Sequence, residues 1–155
     1  MGPSGIGKSE CALDLLRRGH RLIADDVVEI VRKDDGYLEG SAPERIRHHL
    51  EIRGLGIVSA RDLFGHAAVA ERGPLELLCR LQAPGDATDY ERVGIARETE
   101  EVAGVSLPRV TFPARPAGSI ATLVEVAARD HRLRERGLSA AGRLDRSIRD
   151  EMGAR

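Results

Sequence analysis

The chain has 155 residues, 41% of them hydrophobic and 32% charged, with a formal net charge of −1. A domain of that size buries about 68–70% of its unfolded surface, so one core suffices and the composition argues against disorder. The charge balance argues against a basic nucleic-acid surface, an aromatic content of 3% is too low for base-stacking platforms, and no apolar run is long enough to span a bilayer. A cytoplasmic protein with no nucleic-acid or membrane partner is the expectation. Cys11 and Cys79 lie far apart without a metal-ligand pattern and read as small buried hydrophobes, with no disulfide.

The chain opens on Met1-Gly2-Pro3-Ser4-Gly5-Ile6-Gly7-Lys8-Ser9, which satisfies the spacing G-x-x-x-x-G-K-[ST]. Glycines at these positions let the backbone of the loop Gly2, Pro3, Ser4, Gly5, Ile6 and Gly7 come close enough for its N–H groups to surround phosphate oxygens. Lys8 would reach the β- and γ-phosphates, Ser9 would offer its hydroxyl to Mg²⁺, and the following helix would aim its positive end at the anion. The helix is expected from the stripe Cys11, Ala12, Leu15 and Leu16, with Arg17 and Arg18 near its end and Gly19 as its stop. Such a loop normally follows a buried strand, and only Met1 and Gly2 precede it here.

His20 to Val31 reads as two β-branched runs interrupted by Asp25 and Asp26. Carboxylates inside an apolar strand cost several kcal/mol unless partnered, which suits a metal, a cation or a reacting hydroxyl, or else a polar strand end or bulge. In a regular strand only one of the two would face the site. Asp34-Asp35-Gly36 predicts a turn with Tyr37-Leu38-Glu39 returning. Ser41-Ala42-Pro43-Glu44 has capping-box spacing and predicts a helix carrying Ile46 and Leu50, with His48 and His49 at its end and no third metal ligand nearby.

In Leu50-Glu51-Ile52-Arg53-Gly54-Leu55-Gly56-Ile57-Val58, Glu51 and Arg53 followed by Gly54 and Gly56 suit a loop that presents both charges to a ligand. A surface ion pair beside a glycine turn is the alternative. Ser59 predicts a cap for a short helix through Phe64 that Gly65 ends. Pro74–Leu81 predicts one strand with Leu75, Leu77, Cys79 and Leu81 inward. Val102, Val105, Leu107, Val110 and Phe112 mark two more strands around Gly104 and Pro108. A stiff turn carrying Arg115 follows, then a helix from Ser119 to Arg136 stopped by Gly137, and a last helix from Ala140 to about Met152 held by Leu144 and Ile148.

Three signals in this order, with the segments Gly2–Glu10, Arg18–Asp26, Leu50–Ile57, Leu63–Gly65 and Glu125–Ala128, resemble the catalytic domain of the HPr kinase/phosphorylase family almost end to end. That family phosphorylates and dephosphorylates a serine of the bacterial phosphocarrier HPr in the control of carbon metabolism. The resemblance implies a P-loop α/β fold, a mixed sheet with flanking helices like that of phosphoenolpyruvate carboxykinase, here without the strand before the P-loop. It implies that residues 1–155 are one N-terminally truncated catalytic domain, assembled as a homohexamer, and that ATP, or alternatively pyrophosphate, is the donor. By the same resemblance Lys8 would hold the transferring phosphoryl group, and Ser9 and Glu51 would bind Mg²⁺. Asp26 would take the proton from the attacking serine, Asp25 would support metal and base, and Arg92, in Tyr90 to Gly94, would be the catalytic arginine.

Leu50–Ser59, with Arg53, Gly54 and Gly56, matches a stretch associated with both activities, and Pro113–Gly118, with Arg115, the loop associated with dephosphorylation. Arg115-Pro116-Ala117-Gly118-Ser119 departs from the family's Arg-Pro-Gly-Arg-Asn by lacking the second arginine and the asparagine, which bears on the phosphorylase direction. A family histidine upstream of the P-loop lies outside the chain, so the chain alone is expected to be weakly active or inactive. The competing expectations are a small-molecule P-loop kinase, and a nucleotide-sensing module that keeps the cradle without catalysis.

Overall fold

The computed structural model describes residues 1–83, 97–114 and 119–153. Among these residues, helices α1 (Lys8–Arg17), α2 (Ala60–Phe64), α3 (Ile120–Glu135) and α4 (Ala140–Gly153) flank three small sheets. Strands β1 (Glu29–Arg32), β2 (Leu38–Ser41) and β5 (Arg72–Leu75) form one antiparallel sheet in the order β1-β2-β5. Strands β3 (His49–Ile52) and β4 (Gly56–Ser59) make a hairpin. In the third sheet β8 (Val105–Pro113) lies between β6 (Leu78–Gln82), to which it is parallel, and β7 (Glu98–Val102), to which it is antiparallel. The architecture is thus mixed α/β, as expected.

Several local signals act as their chemistry dictates. The Gly36 N–H donates to Lys33 O at 2.9 Å, closing the turn that joins β1 to β2. The Ser59 hydroxyl accepts the Asp62 N–H at 3.2 Å and starts α2, as a cap should. Helix α3 begins after Ser119, whose hydroxyl makes no capping hydrogen bond and accepts from Arg18 instead, and it ends beside Gly137, whose φ of +75° suits glycine.

Three expectations are corrected. The proposed helix after Ser41 is only a 3₁₀ turn, Glu44–Ile46, and Leu50 lies on β3. The true period there is two, since Leu50 and Ile52 are buried while His49 and Glu51 are exposed; the four-residue spacing of Ile46 and Leu50 was coincidental. His48 and His49 therefore end no helix. His48 instead sits at φ 67°, and burial pushes its pKa down.

The single strand expected over Pro74–Leu81 is two strands of different sheets, β5 and β6, so the alternation breaks and Leu78 is buried in place of Leu77. Finally, Leu144 and Ile148 do not hold α4 against the core, for they are 63% and 49% exposed.

Among the described residues the core falls into two apolar clusters. Leu16, Leu22, Leu50, Ile52 and Ala60 join α1 to the β3–β4 hairpin and α2, with Phe64 and Val69 against them. Leu38, Leu78 and Leu107 join the β1-β2-β5 sheet to the β6-β8-β7 sheet. Ionic contacts fasten the outside. Glu125 of α3 receives Arg18, His20 and Arg129, and Asp130 receives Arg97 and Arg134. Cys11 and Cys79 are both free and half-buried. Among the described residues no helix is long and apolar enough to cross a membrane.

Candidate active site

The opening loop is shaped by glycine. Gly5 and Gly7 adopt φ of +76° and +104°, values that disfavour any side chain, and Gly7 is the N-cap of α1 without a side-chain hydrogen bond. The first N–H groups of α1 are therefore left for an external acceptor, beside the positive end of the helix. Lys8 curls back over the loop, its Nζ donating to Gly2 O at 3.0 Å and Pro3 O at 3.1 Å. Met1 runs beside β6 in parallel register, its amino group donating to Cys79 O and its carbonyl accepting from Leu81 N–H. Ile120 at the start of α3 lies 3.8 Å from where a Cβ on Gly7 would be, which braces the loop from behind.

Asp25 and Asp26 are not inside a strand. Leu22 bridges Val69 through Leu22 N–H to Ala68 O and Ala70 N–H to Leu22 O, and the chain then bends before β1 begins at Glu29. The bend removes the strand rule that would have sent the two carboxylates to opposite faces. Asp25 Oδ2 accepts the Ser9 hydroxyl at 3.0 Å and the Glu51 backbone N–H at 3.1 Å. One carboxylate oxygen thereby ties the loop helix to the hairpin. Asp26 Oδ1 lies 3.9 Å from Lys8 Nζ with its side chain 79% exposed, so the pair is weak and the carboxylate remains accessible.

The stretch expected as a loop bearing Glu51 and Arg53 is a tight hairpin. Leu50 and Ile52 face the core, so Glu51 faces outward, and Arg53 stands at the turn closed by Leu55 N–H to Ile52 O at 3.0 Å. Glu51 and Arg53 make no ion pair with each other. They line instead, with Ser4, Gly5, Lys8, Ser9, Asp25 and Asp26, a polar cleft of about 350 Å³. A second cleft of about 320 Å³, behind α1, is mainly apolar.

With Glu10 also in its wall, the cleft gathers among the described residues two cations, four carboxylates, two hydroxyls and the open start of a helix. Among the described residues no three His, Cys, Asp or Glu side chains are grouped to form a metal cage. That donor set fits Mg²⁺, which takes one or two carboxylates and completes its shell with water and substrate phosphates. Of the site residues expected from sequence, Ser4, Gly5, Gly7, Lys8, Ser9, Asp25, Asp26, Glu51, Arg53, Gly54 and Gly56 line one cleft, with Gly2 and Pro3 reached through Lys8. Arg92 and Arg115 lie outside the described residues. Composition and spacing did not announce Glu125, which fastens α3 to the end of α1; its position in Glu-Val-Ala-Ala was the only signal.

Residues 1–148 match the model of the HPr Serine kinase C-terminal domain family. The chain belongs to that family. It is 46% identical over 156 residues to the HPr kinase/phosphorylase of Exiguobacterium sibiricum, covering 98% of this chain and 50% of that protein. It is 49% identical over 142 residues to the HPr kinase/phosphorylase of Leptospira biflexa, covering 90% and 44%. The chain therefore spans about half the length of these relatives. Among solved structures it resembles the Hpr(Ser) kinase/phosphatase from Coxiella burnetii, with a TM-score of 0.81, 33% identity, and coverage of 88% of this chain and 83% of that one.

Proposed function

We propose that residues 1–155 act as the catalytic domain of an HPr kinase/phosphorylase, transferring the terminal phosphoryl group of ATP to a serine of HPr. The observation that carries this reading is the tie through Asp25, which brings Ser9 and the Glu51 backbone to one carboxylate in the cleft beside Lys8. Phosphoryl transfer asks a protein mainly for positioning and for charge compensation, and those groups supply both. The opening loop serves as a P-loop on a carboxykinase-like fold. Ser9 and Glu51 hold Mg²⁺, which when bound neutralises phosphate charge. Asp26, exposed and near Lys8, accepts the proton of the incoming serine hydroxyl.

Lys8 leaves its carbonyl partners to meet the phosphoryl oxygens. The serine oxygen forms its bond to phosphorus as the bond to the bridging oxygen breaks, and the electron pair departs on ADP. Arg92 adds a cation to the developing charge, and Arg115 belongs to the reverse, phosphorolytic direction. The family relationship supports a cytoplasmic homohexamer, and pyrophosphate as a second donor.

Incubating the chain with HPr, Mg²⁺ and radiolabelled ATP is expected to place phosphate on one serine of HPr, slowly but measurably above a Lys8→Ala background. Equal labelling by the parent and Lys8→Ala would overturn the reading. Tight binding of Mg²⁺ and ATP with no transfer would favour a nucleotide-sensing module instead.

A further inference from the structure

Two glycines outside the polar cleft are required by space alone. Leu38 of β2 lies opposite Leu75 of β5, and two residues further along the same pairing Gly40 lies opposite Gly73. Directly opposed residues of an antiparallel pair share a face of the sheet, as do residues two apart on one strand. Neither glycine has a positive φ, so the strand backbone accepts any residue at either place. A Cβ on Gly73 would nonetheless fall 2.8 Å from Ile23 Cδ1, and one on Gly40 would fall 3.0 Å from Val28 Cγ1. Ile23 stands two residues before Asp25 and Val28 two residues after Asp26. The aspartate bend is therefore a span between the Leu22 bridge and Glu29, seated on the bare patch of the sheet at both ends. Ile23, Ala24, Val28 and both glycines also line the mainly apolar cleft of about 320 Å³ behind α1, so open space, not packed core, lies beside these seats.

We propose that Gly40 and Gly73 are positioning residues of the transfer site: the gap they leave in the sheet sets how deeply Ile23 and Val28 sit, and hence where Asp25 and Asp26 stand in the polar cleft. The inference rests on the reading of these aspartates as working groups of that cleft and adds how they are held. From the cleft side Asp25 is gripped by the Ser9 hydroxyl and the Glu51 N–H. Among the described residues Asp26 has Lys8 at 3.9 Å as its one ionic partner, so its place depends more on the seat behind it. Ile23 and Val28 are β-branched and stiff at χ1, so a side chain in either gap moves the bend and not merely the side chain above it. Gly73 thereby acts on Asp25 and its tie to Glu51, and Gly40 acts on Asp26, the proton acceptor. A misplacement of about 1 Å at a reacting group can cost on the order of 10²-fold in rate, which makes the depth of these seats a kinetic matter.

The test compares the parent chain with Gly73→Val and Gly40→Val, and with the swaps Gly73→Val/Ile23→Ala and Gly40→Val/Val28→Ala, which move the volume from the bend to the sheet. One readout needs no ligand: the exchange rate of the Glu51 amide proton by NMR, which reports whether Asp25 still accepts it. The other is transfer to HPr with Mg²⁺ and ATP. Gly73→Val is expected to speed Glu51 exchange at least about tenfold while the Leu16 and Leu50 amides keep the parent rate. Gly40→Val is expected to lower kcat at least about tenfold with KM for ATP within about threefold. Each swap should bring its own readout back to within about threefold of the parent, because the seat is filled once again to the same depth. Should a valine variant fail to fold, the alanine at the same position carries the same comparison. Parent-like Glu51 exchange in Gly73→Val together with parent-like kcat in Gly40→Val overturns the proposal. So does a loss that the matching swap leaves in place, or one accompanied by faster exchange throughout the core, which would mark ordinary loss of packing. A parent that places no phosphate on HPr sinks the transfer reading, and the Glu51 amide then still decides whether these glycines hold the bend.

Discussion

Gly5 and Asp25 show how much of this site rests on single atoms. Placing a methyl group on Gly5 meets two obstacles, a φ of +76° and the Arg53 guanidinium at 2.8 Å. Gly5→Ala is expected to cost about 1–2 kcal/mol from the left-handed backbone, read from urea denaturation, and to weaken Mg²⁺–ATP binding in a titration calorimeter. Asp25→Ala removes the shared acceptor of the Ser9 hydroxyl and the Glu51 N–H. Its expected cost is about 1 kcal/mol because the site is partly solvated, but transfer to HPr should fall by far more than stability does. The thiols give an independent check on packing. Burial pushes both Cys11 and Cys79 above the ordinary thiol range, so both stay protonated at neutral pH and should react slowly with iodoacetamide until the chain is unfolded.

At the scale of elements, the β3–β4 hairpin is the part whose displacement would do most damage, because one of its faces is core and the other is the cleft. Leu50→Ala is expected to cost about 2–5 kcal/mol and to reduce transfer along with stability, since Glu51 and Arg53 ride on the same strand and turn. Leu55→Ala, at a turn position 75% exposed, should change the urea midpoint little. The helices were legible in sequence because their stops and caps are local: Gly19, Ser59, Gly65 and Gly137 stand where the chain turns. The segment from Ser41 to Leu50 was misread because its capping spacing and its single i, i+4 apolar pair suit a helix as well as a strand. Only pairing with Gly56–Ser59 settles the period at two. Pro74–Leu81 was misread for a related reason, since a run of alternating residues does not reveal that its two halves join different sheets.

For the molecule as a whole, carboxylates fastened to arginine and lysine on the surface set its response to acid. The Arg18 guanidinium, with Arg129 and His20, holds Glu125 below the ordinary glutamate value of 4.5, Arg109 does so for Glu100, and Lys33 for Glu39. A carboxylate whose folded pKa is depressed adds stability that is fully present above the unfolded value and is lost as pH falls through the folded one. The urea midpoint should therefore hold through these groups from neutral pH down to the ordinary glutamate range and fall below it, with the decline smaller in high salt. Glu125→Gln should flatten part of that decline; an unchanged acid profile would show that the clasp between α1 and α3 contributes nothing.

By itself the amino-acid order determined the chemistry on offer, because the glycine spacing before Lys8 and Ser9, the adjacent aspartates and the Glu-x-Arg-Gly-x-Gly stretch are covalent facts that no folding alters. It determined the local stops and starts of helices for the same reason. Which of those groups meet was decided only by the tertiary structure: the bend that turns Asp25 toward Ser9 and Glu51, and the hairpin that carries Arg53 onto Gly5, depend on contacts between segments far apart in the chain. Those contacts are set by Leu16, Leu22, Leu50 and Ile52 sharing one apolar cluster, a property of packing that no spacing encodes.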